Sequence, residues 1–107
     1  MSEQEFQEQC ERILRGIEDA LDARGADVES SRMDKVLELE FDDGSKIIVN
    51  GNAPVREVWI AARSGGFHFR HVDGQWLDTR SGNELFTFLS ELVSQQTGEA
   101  IVLAPAA

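Results

Sequence analysis

The residues best equipped for chemistry in this sequence are carboxylates. Glu8, Glu11, Glu18, Asp19 and Asp22 fall in a stretch whose apolar residues recur every three or four positions, and all five lie opposite that stripe. Glu11, Glu18 and Asp22 line up one or two turns apart, Asp19 and Asp22 are three apart, and Asp27 and Glu29 follow at strand spacing. Carboxylate oxygens are hard donors suited to Fe2+, Fe3+, Mn2+, Ca2+ or Mg2+. A helix rises about 5.4 Å per turn, so this row cannot close around one ion as a cage. It offers several open sites of a few carboxylates and water, which implies weak and unselective binding. The competing reading is a solvated helix face. Arg12 and Arg15 follow Glu8 and Glu11 by four residues, and Arg15 also reaches Glu18 and Asp19, in pairs worth about 0.2–0.5 kcal/mol each. On the residues alone the solvated face has the better claim.

The remaining reactive types point to structure. His68 and His71 are the only histidines, and three residues apart on a strand they face opposite ways, so they cannot hold one metal together. Cys10 lies on the apolar stripe and reads as a small core residue. As the lone cysteine it excludes an intramolecular disulfide and a Cys-rich metal site. No nucleophile arrangement and no Gly-rich phosphate loop is present. Trp59 sits between Val58 and Ile60, so if those two face the core, Trp59 points out as a partner anchor or is partly covered by neighbouring strands.

These groups need elements to position them. Ser2-x-x-Glu5 is a capping box, and Phe6, Cys10, Ile13, Leu14, Ile17, Ala20 and Leu21 form the stripe of a helix that Gly25 ends. Leu37, Leu39 and Phe41 alternate with Glu38 and Glu40, the mark of a strand with one wet face. Further strands are expected over 46–50, 58–62, 67–72 and 75–78, with a weaker one over 27–31; Ser64-Gly65-Gly66 and Asp73-Gly74 supply turns. Ser81-x-x-Glu84 reads as a second capping box, ahead of a helix striped by Leu85, Phe86, Leu89, Leu92 and Val93 and stopped at Gly98. The expected fold is an α+β two-layer sandwich, with N- and C-terminal helices on one face of an antiparallel sheet of about five to six strands. Residues 1–107 make a single domain whose tail, 99–107, is loosely attached.

Composition narrows the function. The chain has 107 residues, 41% of them hydrophobic, with 20 acids against 10 Lys and Arg and a formal charge of −10. So negative a surface repels nucleic acid and anionic lipid and attracts cations or basic partners. Nothing approaches a membrane span, and the opening Met1-Ser2-Glu3-Gln4-Glu5 has no secretory or transit character, so a reducing bacterial cytoplasm is expected.

The stretch Phe41-Asp42-Asp43-Gly44-Ser45-Lys46-Ile47-Ile48-Val49-Asn50 resembles a hairpin of the frataxin family, continuing through Pro54 into Val58-Trp59-Ile60-Ala61. Gly65-Gly66-Phe67-His68-Phe69, Trp76, Asp78, Arg80, Ser81 and Gly82 extend the resemblance to its bacterial members, over about Glu5 to Glu99. It implies the same αβ…βα sandwich and a non-enzymatic, iron-binding modulator of iron–sulfur cluster assembly. The implied cofactor is iron (Fe2+ or Fe3+), held weakly and reversibly on an acidic ridge of Glu11, Glu18, Asp19, Asp22, Asp27 and Glu29. The implied partners are the cysteine desulfurase and the cluster scaffold, met through Glu18 and Asp22 and through a patch with Trp59 and Asn52. The resemblance turns the balance on the carboxylates toward metal. Acids that bacterial members often carry are missing at Ala23, Arg24 and Ser31, and Gly51 and Asn52 replace a basic residue and Gln. Two rival readings remain: ferroxidase or iron storage in iron-loaded oligomers rather than a monomer, and a purely electrostatic adaptor for which iron is incidental.

Overall fold

Ser2 opens the first helix. Its hydroxyl accepts the Glu5 N–H at 3.1 Å while the Glu5 carboxylate accepts the Ser2 N–H at 3.3 Å, so both ends of the capping box are made. In the computed structural model, which describes residues 1–104, helix α1 spans Glu3–Arg24 and ends at Gly25 in the left-handed conformation. Six strands follow: β1 (Glu29–Met33), β2 (Val36–Glu40), β3 (Lys46–Asn52), β4 (Glu57–Ala62), β5 (Gly65–Val72) and β6 (Gln75–Asp78). Helix α2, Leu85–Thr97, closes the order. Each strand pairs antiparallel with the next, giving one sheet in the order β1-β2-β3-β4-β5-β6. The α+β sandwich expected from the periodicities is the one formed.

The alternation in the strands sorts the sheet into a dry and a wet face. Leu37, Val49 and Ile60 lie side by side across β2, β3 and β4, as do Leu39 with Ile47 and Val58 with Phe69, and all are buried. Against them α1 buries Phe6, Cys10, Ile13, Leu14, Gly16, Ile17 and Leu21, and α2 buries Leu85, Phe86, Leu89, Leu92 and Val93. Burial pushes the Cys10 thiol up to about 11, which leaves it inert, as the stripe suggested. Among the described residues no helix is long and apolar enough to cross a membrane.

Four local expectations are revised. The β4–β5 turn consists of Arg63 and Ser64, because Ala62 already pairs with Gly65. The first strand begins at Glu29, leaving Asp27 in the bend before it. Ser81 does not cap α2: it donates to Asp78 Oδ2 at 2.6 Å, and Glu84 caps instead by accepting the Phe86 and Thr87 N–H groups. A bridge between Leu77 and Glu84 holds this segment along β6, so the helix starts one turn of chain later than the motif implies. The fourth revision concerns the tail, which is anchored rather than loose over its described part. Ser94 Oγ accepts the Ile101 N–H at 2.9 Å and Ser90 Oγ accepts the Leu103 N–H at 2.8 Å, while both apolar side chains are buried. Arg24 donates to the Ala100 carbonyl at 2.9 Å, a use for the cation that stands where an acid was expected. Residues 105–107 lie outside the described part.

The two layers approach closely at Gly51. A Cβ there would lie 2.5 Å from Cys10 Sγ, so only glycine lets α1 settle this near β3. Gly51 therefore faces the core, and of the two departures noted beside Trp59 only Asn52 belongs to the outer face. Gly51→Ala is expected to destabilise the fold by about 1–3 kcal/mol through overpacking. Adding Cys10→Ala should return part of that loss, read as paired denaturant midpoints.

Candidate functional site

The α1 acids divide into two groups. Arg32 projects from the inner side of β1, opposite Leu37, and reaches α1, where it donates to both Glu11 and Glu18. Glu11 also meets Arg15 at 3.4 Å and Lys35 at 3.8 Å. The Arg32 bond is the main reason the Glu11 carboxyl lies below the ordinary glutamate range. The expected Arg15 pairs with Glu18 and Asp19, and the Arg12 pair with Glu8, are not among the ion pairs of the described residues. Asp19 and Asp22 are exposed and no ion pair of the described residues involves them.

A second acidic focus lies where α1 hands over to the sheet. Asp27, Glu29, Glu40 and Asp42 line one shallow cleft, with Glu29 directly opposite Glu40 in the β1–β2 register. Hydrogen bonding to Asp27, with the charges of Asp27, Asp43 and Glu29, pushes the Asp42 carboxyl above the ordinary aspartate range. The neighbouring Asp43 goes the other way, to about 2, because Ser45 donates to it from side chain and backbone and Arg63 pairs with it. Glu40 and Asp42 were read in the sequence only as strand and turn residues. Their convergence with Asp27 depends on the β1–β2 pairing, which has no local signal. No group of three or more His, Cys, Asp or Glu side chains among the described residues is arranged to enclose an ion.

The third feature is the outer sheet face. Val58 and Ile60 are buried, and Trp59 between them is half-buried on the wet side. It stacks on His68 with ring centroids 4.5 Å apart and planes 13° from parallel. Its indole N–H donates to Glu57 Oε1 at 2.9 Å, and Arg70 donates to Glu57 Oε2 at 2.9 Å. Asn52 is opposite Glu57 in the register, so Asn52 and Trp59 share this face, whereas Glu18 and Asp22 belong to the helix layer. His71 packs near Trp76 on the inner side, so the two histidines face opposite ways. Sequence reading missed Arg32 and Glu57, whose partners are set by pairing across strands and layers.

This division changes what charge reversal does. Asp22→Lys removes one repelling charge and breaks no pair, so it is expected to raise the thermal midpoint at low salt. Glu18→Lys puts a cation beside Arg32 and should lower it, with both effects shrinking in high salt.

The Frataxin-like domain family matches residues 1–99. The chain is 51% identical to the iron-sulfur cluster assembly protein CyaY of Paraburkholderia phymatum over 105 residues, 98% of this chain and all of that protein. It is 56% identical to the CyaY of Ralstonia nicotianae over 92 residues, 86% of this chain and 81% of that one. Frataxin from Psychromonas ingrahamii superposes with a TM-score of 0.92 at 34% identity, covering 97% and 99% of the two chains. Trimeric yeast frataxin, solved complexed with ferrous iron, shares the fold with a TM-score of 0.69 at 23% identity, covering 89% and 87% of the two chains. By family match, by sequence identity along nearly its whole length and by fold, this chain belongs to the frataxin family.

Proposed function

We propose that the protein binds iron weakly on its acidic face and modulates iron–sulfur cluster assembly in the bacterial cytoplasm by acting on the cysteine desulfurase and its scaffold. The observation that carries this reading is the set of carboxylates left outside ion pairs: Asp19 and Asp22 on α1, then Asp27, Glu29, Glu40 and Asp42 at the sheet corner. A raised Asp42 carboxyl means charge crowded beyond what the site can neutralise, and a bound cation would relieve it. The bacterial relatives named for cluster assembly and the ferrous complex of yeast frataxin support the same assignment. Weak binding follows from the open arrangement, since each ion would keep most of its water.

Glu11 and Glu18 take a different part. Arg32 pairs with one oxygen of each and already offsets their charge, so a metal gains less there than at the unpaired acids. That same absence of an enclosing group favours a second reading, in which the face is chiefly a docking charge and iron is incidental. The two readings separate on metal dependence. An electrostatic adaptor would hold the desulfurase equally well with and without iron.

Titration with Fe2+ under anaerobic conditions, and with Mn2+, is expected to perturb the amides of Asp19, Asp22, Asp27, Glu29 and Asp42 first, and those of Glu11 and Glu18 only at higher metal. Shifts confined to the surroundings of His68 and His71 would reject the assignment. For the desulfurase, Asp19→Lys with Asp22→Lys should slow association and flatten its salt dependence, because fewer favourable charges remain to be screened. Trp59→Ala should instead speed dissociation and leave the salt slope unchanged, as measured by association and dissociation rates across a salt series.

A further inference from the structure

Among the described residues Glu57 is the one buried charged side chain on the wet face of the sheet, and neither the core nor the acidic face has a use for it. Asp78, the other buried carboxylate, is accounted for by the donors of Arg80 and Ser81 that it collects. Glu57 contributes nothing to the helix–sheet contact. Its side chain lies instead beneath three groups of the outer face: the Trp59 indole N–H, the Arg70 guanidinium and, at 3.7 Å, His68 Nδ1. His68 in turn stacks on the Trp59 ring.

We propose that Glu57 is the positioning residue of the Trp59 anchor, holding the indole in the one orientation that the partner meets. This rests on the reading of Trp59 as a partner contact. A half-buried tryptophan on a solvated sheet would otherwise sample several rotamers, and freezing them at an interface costs roughly two- to tenfold in affinity. Here the freezing is done in the free protein. Glu57 fixes the polar edge of the ring, His68 supports its plane, and Arg70 neutralises the carboxylate that would otherwise be costly to bury. The indole N–H is already used, so the ring is presented as preordered apolar area. The partner surface that fits it is an apolar pocket needing no hydrogen-bond acceptor for the tryptophan. Consistent with this geometry, the Trp59 N–H, followed by Arg70, holds the Glu57 carboxyl below the ordinary glutamate range.

The test is a double-mutant cycle on desulfurase affinity with Glu57→Ala, Trp59→Ala and the pair, plus Glu57→Gln. Glu57→Ala is expected to weaken binding about fivefold when Trp59 is present and less than about twofold when it is already Ala. Glu57→Gln keeps an acceptor at the same reach and should restore most of the loss. An equal loss in both backgrounds, or none in either, overturns the positioning role while leaving the anchor reading intact. Wild-type affinity in Trp59→Ala would instead remove the anchor reading, and the proposal with it. A measurement on the unmodified protein stands even if Glu57→Ala fails to fold. The Trp59 indole N–H resonance should move as Glu57 titrates below the usual glutamate range, while that of Trp76 stays still. A Trp59 resonance that is flat through the carboxylate range overturns the proposal.

Discussion

The sheet has one dry face, and α1 can bury its stripe only by lying along it. That single constraint fixes where every charge on the helix can go. With Phe6, Cys10, Ile13, Leu14, Ile17 and Leu21 turned inward, the acids must lie on the flanks and crest. The flank that meets β1 finds Arg32, and Asp19 and Asp22 on the crest are in no ion pair of the described residues. Gly51 lets the helix approach β3 at Cys10 more closely than any residue with a Cβ would allow. Packing therefore fixes which positions of α1 face solvent, and the sequence fills most of the charged ones with acids.

Much of this is legible in the sequence itself. The capping box at Ser2, the stripe of α1, the alternation from Leu37 to Phe41 and the Asp73-Gly74 turn are local signals, and each was realised. The outward direction of Trp59 and the opposed histidines followed from period-two alternation alone. What could not be read was anything decided between elements. Arg32 lies 21 residues from Glu11 and 14 from Glu18, and nothing in its own neighbourhood marks it as their partner. Glu57 looks like an ordinary strand-start acid until β5 brings Arg70 and His68 beside it. Ser81 resembles a cap because its spacing to Glu84 is right, yet Asp78, three residues earlier, offers its hydroxyl a better acceptor. The tail failed for a similar reason: Ser90 and Ser94 look like exposed helix residues, but they take up the backbone of Ile101 and Leu103.

The charge distribution separates two surfaces with different physics. On the helix layer and the sheet corner, carboxylates act at long range and respond to salt. On the outer sheet face, charge is paired internally around Glu57 and an aromatic surface is left. Under the proposed function, a partner would be oriented by one surface and held by the other. The two edges of the sheet differ as well. β6 is covered along Leu77 by the segment leading into α2, whereas β1 pairs only with β2 and is a short strand that carries Glu29 and Arg32, with Met33 as its one apolar residue. Such charged, short edges discourage pairing with a second chain.

The sequential strand order has a consequence for how the molecule is made. Each strand finds its partner in the strand synthesised just before it, so the sheet can grow hairpin by hairpin as the chain emerges. Helix α1 enjoys no such arrangement. It precedes the whole sheet in the chain, and Gly51, which receives Cys10, is made some forty residues later, roughly 2–8 s at ordinary elongation rates. Until the later strands follow, most of its apolar stripe lacks the sheet that covers it. The same carboxylates that crowd the finished surface then serve the nascent chain, giving an uncovered amphipathic helix the charge that keeps it apart from its neighbours on a polysome.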